Sequence, residues 1–215
     1  MEALIDLLLH ADAQLAQFVQ TYGAWVYAGL FLIIFAETGL VVTPFLPGDS
    51  LLFAAGALAA SAGAFNMWIL VPLLIGAAVL GDAVNYMVGN AVGPRVFTAV
   101  DRTSWWHRLL NRDHLAKAHA FFEKYGGKAI VLGRFVPIVR TFVPFVAGAG
   151  TMTYGTFAFY NVAGGVIWVC VCTIAGFAFG NVPIVRNNFT LVALGIVAVS
   201  VLPIAIELLK RKRAR

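Results

Sequence analysis

The sequence predicts an all-α polytopic membrane protein. It is an inverted repeat with two re-entrant helical hairpins facing each other, plus interfacial amphipathic helices. Three observations carry that expectation. Of 215 residues, 61% are apolar, 12% are charged, and mean hydropathy is +0.87; a soluble domain carries about 25% charged residues. The basic residues cluster, seven of fifteen between Arg95 and Lys128 and five more in Lys210 to Arg215. Two apolar stretches are each broken by a pair of prolines. The composition excludes a disordered chain and a water-soluble nucleic-acid binder, although the net charge is +5.

Over residues 1–20, Leu4, Leu7, Leu8, Leu15 and Phe18 spaced among Asp6, Asp12, Gln14 and Gln17 predict an N-terminal amphipathic helix on the membrane surface. Three acids and no Lys or Arg there argue against a cleavable signal. A single membrane domain spans 21–208. Its first repeat, about 22–91, opens with an apolar segment over 22–36. Glu37 and then Thr43-Pro-Phe-Leu-Pro-Gly-Asp49 break that segment, because Pro44 and Pro47 remove two backbone donors and Gly48 loosens the turn. Broken backbone at membrane depth is tolerated only within protein or beside a water-filled cavity. The spacing therefore predicts a re-entrant hairpin over 37–60, then a full span over 66–91 carrying Asp82 and Tyr86.

The linker, 94–128, places Trp105, Trp106, Leu109, Leu110, Ala118, Phe121 and Phe122 at three- and four-residue spacing between charges. That pattern predicts one or two interfacial helices with tryptophans at headgroup depth. His107, His114 and His119 have no compact metal spacing and read as solvated side chains. The second repeat, about 129–208, contains Gly133-Arg-Phe-Val-Pro-Ile-Val-Arg-Thr-Phe-Val-Pro144, where Pro137 and Pro144 interrupt the apolar run and close a hairpin by about 151. Full spans follow over about 155–180 and 189–208, and a basic tail over 210–215. The positive-inside rule puts the linker and the tail in the cytoplasm. Cys170 and Cys172 point to different helix faces and read as small packing residues, not a disulfide or metal pair.

The two interrupted regions echo each other at an offset of 97: Glu37 falls on Arg134, Phe45 on Phe142 and Pro47 on Pro144. Paired broken segments in two halves of a transporter point to its binding site. Glu37, Asp49, Asp82, Arg134 and Arg140 all lie in or beside apolar sequence, where each costs roughly 2.5–3.5 kcal/mol at a helix centre. Either the acids and arginines pair to hold the hairpins together, or the arginines attract an anion while the acids exchange protons. Arginine suits phosphate, because its planar fork donates two hydrogen bonds and stays charged. Asp82, with Gly76, Gly81 and Gly89, also fits helix packing. Ser50 and Ser61 have no histidine in the apolar region to activate them, and no nucleotide loop or cofactor fingerprint is present. The expectation is a protein that is not an enzyme and needs no cofactor or metal.

Glu37-Thr-Gly, Pro44-Phe-Leu-Pro-Gly-Asp49-Ser, Gly81-Asp82-x-x-x-Tyr86-x-x-Gly89 and Gly133-Arg-Phe-x-Pro-x-x-Arg140 resemble the DedA family of bacterial inner-membrane proteins, whose domain also occurs in eukaryotic VTT-domain lipid scramblases. Pro144-x-x-Ala147-Gly148, Met152, Phe157, Asn161, Gly164 and Trp168 extend the likeness over roughly 25–185. The resemblance implies two facing re-entrant hairpins, functional acids at Glu37 and Asp49, and functional arginines at Arg134 and Arg140. It implies a flippase that returns undecaprenyl phosphate from the outer to the inner leaflet, with the proton motive force implicated. The partners are then membrane lipids and a polyprenyl phosphate. A non-selective phospholipid scramblase, a proton-coupled small-ion or drug transporter, and a non-transporting organiser held by ion pairs remain alternatives. Glycines on the spans serve packing within one chain or a homo-oligomer.

Overall fold

Long apolar runs become long helices. A computed structural model describes residues 22–40, 48–61, 65–98, 112–150, 152–183 and 185. The elements are α1 (Ala24–Gly39), α2 (Gly48–Ser61), α3 (Met67–Thr98), α4 (Arg112–Tyr125), α5 (Lys128–Gly133), α6 (Pro137–Ala149) and α7 (Tyr154–Gly180). The described secondary structure is all helical. The N-terminal helix over 1–20, Pro44 and Pro47, Trp105, Trp106 and His107, the span over 189–208 and the basic tail lie outside the described residues.

Among the described residues, two helices have the length and composition to cross a membrane, Met67–Val92 within α3 and all of α7, of 26 and 27 residues. At 1.5 Å per residue they reach about 40 Å, beyond the ~30 Å hydrocarbon layer. Both expose large apolar side chains, among them Trp68, Ile69, Leu80 and Met87 on α3 and Phe159, Ile167, Val171 and Ile174 on α7. These faces suit lipid rather than water. Asn66 starts α3, its side-chain oxygen accepting the N–H of Trp68 at 2.9 Å.

The structure redraws three expected boundaries. Glu37 does not open a hairpin: Glu37, Thr38 and Gly39 are the last turn of α1. No breaker precedes Gly39, so the helix runs on. Pro137 does interrupt the chain, because the residue before a proline is driven extended, as Val136 is, and Pro137 then takes the first helical position. Pro144, by contrast, lies inside α6. Its flanking residues Val143 and Phe145 are nearly fully buried, and that packing carries the helix through. The span expected over 66–91 is met by Met67–Val92, but its helix does not end there and α3 continues to Thr98.

The chain forms two compact units. One comprises Leu30–Leu46 and Leu73–Trp168. Its core joins Ala118, Ile130, Phe142, Val143, Phe145, Val146 and Phe157, with Phe121 and Phe122 packed against them. So α4 is amphipathic as its periodicity requires, but its apolar face covers protein, α6 and α5, rather than headgroups. His119 on its outer face is half-exposed, 3.9 Å from Glu123. The other unit comprises Met1–Gly29, Pro47–Pro72 and Val169–Arg215. There Tyr27 meets Phe65 edge-on, and Phe53 packs on Phe179. Cys170 and Cys172 are half-buried free thiols.

The same helix crossing occurs once in each unit. A Cβ on Gly148 would sit 2.0 Å from the Tyr86 carbonyl oxygen, and one on Gly89 2.1 Å from that of Phe145. In the other unit a Cβ on Gly56 would sit 2.1 Å from the Thr173 carbonyl oxygen, and one on Gly176 2.0 Å from that of Phe53. Each glycine faces the carbonyl three residues before its opposite glycine. Close backbone approach across small residues is how helices associate where lipid removes the hydrophobic drive. Phe145-Val-Ala-Gly148 stands 92 residues after Phe53-Ala-Ala-Gly56, so the packing echo runs at 92 rather than 97. Gly76, expected to share this role, has nothing within 4 Å of its missing Cβ.

Candidate functional site

Four ionisable side chains converge in the unit formed by Leu30–Leu46 and Leu73–Trp168. Glu37 comes from the end of α1 and Asp82 from the middle of α3. Arg134 follows α5 directly, and Arg140 lies in the first turn of α6. With Thr38, Thr141 and Trp168 they enclose a cavity of about 10 Å³, room for roughly one water. Gly81 makes the convergence possible: a Cβ there would lie 1.9 Å from the Thr38 hydroxyl, so α1 closes on α3 beside Asp82.

The charges pair in a definite way. Arg134 donates from Nη2 to Asp82 Oδ2 at 2.5 Å and to Asn161 Oδ1 at 2.6 Å. Asn161 in turn donates from Nδ2 to the Val79 carbonyl at 3.0 Å, which fixes its oxygen toward the arginine. Gly164, one turn along α7 from Asn161, leaves space for the Arg134 stem, which would lie 3.2 Å from an added Cβ. Arg134 Nε has no hydrogen-bond partner among the described residues. Arg140 donates from Nη2 to Glu37 Oε1. Glu37 is 1% exposed and Arg134 5%, so these pairs are shielded from solvent.

Trp168 ties the two arginines together. Their guanidinium carbons lie 5.8 and 5.7 Å from its ring centroid, Arg134 and Arg140 respectively. Such cation–π contacts are worth about 2 kcal/mol when desolvated. The indole face thus offsets part of the repulsion between two like charges. Two acids and two arginines make the cavity formally neutral.

Of the residues singled out in the sequence, Glu37, Asp82, Arg134 and Arg140 come together. The sequence leaves the pairing of acids with arginines open; the structure pairs Glu37 with Arg140 and Asp82 with Arg134. Asp82 is therefore an ion-pair partner, not only a packing residue. Asp49 lies in the first turn of α2, in the other unit, with its side chain exposed. Gly48, at the start of α2, is buried. Tyr86 belongs to the core: its hydroxyl donates to the Met152 carbonyl at 2.6 Å, and its ring stacks on Phe157 at 4.3 Å. Sequence reading missed Thr38, Thr141 and Asn85, and assigned no role to Asn161 or Trp168. A signal for Asn85 was present, since an amide three residues after Asp82 in an apolar span lies on the same helix face.

Comparison with known proteins bears on the same region. A VTT domain profile matches residues 46–178. Protein DedA of Escherichia coli (strain K12) is 53% identical over 212 residues, covering 98% of this chain and 94% of the relative. An uncharacterized membrane protein of Mycobacterium tuberculosis is 44% identical over 195 residues, covering 90% and 83%. Inner membrane protein YqjA of Escherichia coli (strain K12) is 38% identical over 161 residues, covering 74% and 70%. No solved structure matches the chain.

Proposed function

The chain belongs to the DedA family of VTT-domain membrane proteins, and from that premise we propose that it is a lipid transporter, not an enzyme. Its cargo is a polyprenyl phosphate, undecaprenyl phosphate, carried from the outer to the inner leaflet of the inner membrane and coupled to the proton motive force. The observation that supports this is the cavity with two guanidinium groups on one tryptophan, each neutralised by a carboxylate from another segment. A phosphate head wants the planar fork of arginine. Its isoprenoid tail needs no protein site, because it stays in lipid.

In this state the cavity is neutral and admits about one water, so it is closed to a phosphate. An anion binds Arg140 only when Glu37 leaves it. A carboxylate parted from its arginine at membrane depth is costly, and it takes a proton instead. Anion exchange on the arginine and protonation of the acid are thereby one event.

The helices α1, α2 and α6, of 16, 14 and 13 residues, reach only about 20–24 Å. That is short of the ~30 Å hydrocarbon layer and supports the reading of re-entrant segments. The crossing that recurs at Gly56–Gly176 and Gly148–Gly89 supports an internal repeat. The basic linker and tail lie in the cytoplasm.

The test replaces the fork and keeps the charge. Arg134→Lys and Arg140→Lys proteins, folded by their melting profiles, are reconstituted with undecaprenyl phosphate and its leaflet exchange is followed. Exchange falls at least tenfold for both. Full exchange by Arg140→Lys contradicts phosphate capture by that guanidinium.

A further inference from the structure

Asn85 has no charge and no place on the cavity wall, yet it touches both segments that carry the Glu37–Arg140 pair. Its side-chain nitrogen donates to the Thr38 carbonyl at 3.2 Å and to the Thr141 carbonyl at 2.7 Å. Thr38 follows Glu37, and Thr141 follows Arg140. One amide group thus grips the backbone immediately beside the acid and immediately beside its arginine. Asn85 is fully buried. Both partners are carbonyl oxygens, so only the nitrogen end of the amide fits there.

Each carbonyl has a reason to accept. Thr38 lies in the last turn of α1, where helix carbonyls lack intrahelical donors. A carbonyl oxygen carries two lone pairs, so that of Thr141 in α6 accepts the amide beside its place in the helix ladder. The Thr38 hydroxyl bonds back to the Ile34 carbonyl at 2.9 Å and does not compete. Thr38 and Thr141 are 47 and 56 residues from Asn85, so nothing local sets their spacing.

We propose that Asn85 is a positioning residue that sets the register of Glu37 against Arg140 by clamping the ends of the two interrupted segments to α3. Asp82, one turn earlier on α3, meets Arg134 directly. The middle of α3 therefore serves both ion pairs, one by direct charge and one through backbone. The clamp acts on Glu37–Arg140 alone, because Arg134 is held by Asp82 and Asn161. The other charged groups lining the cavity with Glu37 are Asp82, Arg134 and Arg140.

The clamp stands on geometry; only its consequence for transport rests on the transporter proposed above. The test is a pair of double-mutant cycles on the full-length protein in detergent, read as melting temperature. One cycle uses Glu37→Gln and Arg140→Gln, the other Asp82→Asn and Arg134→Gln. Each is run in the wild-type, Asn85→Ala and Asn85→Ser backgrounds. In the wild type both cycles are non-additive by about 3–8 °C. In Asn85→Ala the Glu37–Arg140 coupling falls below about 1 °C while the Asp82–Arg134 coupling persists. Serine reaches at most one carbonyl and leaves an intermediate coupling, which keeps the test open if the alanine protein does not fold. An unchanged Glu37–Arg140 coupling in either background overturns the proposal. So does an equal loss in both cycles, which marks Asn85 as general packing. Lost coupling with full leaflet exchange of undecaprenyl phosphate keeps the clamp and removes this ion pair from transport.

Discussion

Removing the charge of Asp82 while keeping its shape separates a structural ion pair from a working one. Asp82 and Arg134 are 2.5 Å apart, with side chains 4% and 5% exposed. Taking one member of a buried pair leaves an uncompensated charge and costs about 3–5 kcal/mol. Asp82→Asn lies at the lower end, since its amide oxygen still accepts from Arg134 and Asn161 Oδ1 remains at 2.6 Å. Asp82→Ala removes that acceptor and lies at the upper end. For a chain of this size, each kcal/mol lowers the melting temperature by roughly 2–4 °C. The expected losses are thus about 6–12 °C for asparagine and about 10–20 °C for alanine. The decisive variant is Asp82→Leu with Arg134→Met, which replaces the pair by apolar groups of similar size. Such swaps are often neutral or stabilising. Its melting temperature returns to within about 4 °C of wild type, while leaflet exchange of undecaprenyl phosphate in proteoliposomes stays at background. If Asp82→Ala melts like the wild type, the pair is not buried as described. If the apolar double variant still transports, the pair is a latch and the phosphate assignment of Arg134 is wrong.

Three further outcomes follow from single contacts. Gly148→Val drives a side chain into the Tyr86 carbonyl 2.0 Å away and lowers the melting temperature by roughly 2–12 °C, whereas Gly76→Ala, with open space around it, raises it slightly; equal effects would refute the close crossing. Trp168→Phe keeps an aromatic face for Arg134 and Arg140 and retains most exchange activity, while Trp168→Leu loses at least tenfold in the same vesicle assay. His119→Ala changes stability by less than about 0.5 kcal/mol in thermal melts, because an exposed His–Glu contact contributes little.

Much of the fold was legible because membrane helices announce themselves locally. The two long spans follow from long, strongly apolar runs, the first continuing through Pro72, and the break before α6 follows from what Pro137 does to Val136. Periodicity gave α4 its apolar face but not what covers that face, since Ala118, Phe121 and Phe122 satisfy headgroups and a helix such as α6 equally well. Pro144 reads as a breaker, yet the packing of Val143 and Phe145 outweighs one missing hydrogen bond. The membership of the site was legible, because charge at membrane depth is expensive wherever it occurs. Its pairing was not: Glu37 and Arg140 are 103 residues apart, and no local rule chooses Arg140 over Arg134. Asn85 escaped notice and Asn161 received no role because neutral amides do not perturb the charge pattern, although each places a donor or acceptor that the arginines and backbone require.

The most direct measurement is leaflet exchange of undecaprenyl phosphate by the purified full-length protein in liposomes, with and without an imposed pH gradient, beside a phosphatidylcholine reporter. The prediction is exchange of the polyprenyl phosphate alone, accelerated by the gradient and abolished in Arg140→Gln. Equal movement of both lipids, indifferent to the gradient and to that substitution, would contradict a phosphate site built on the paired arginines.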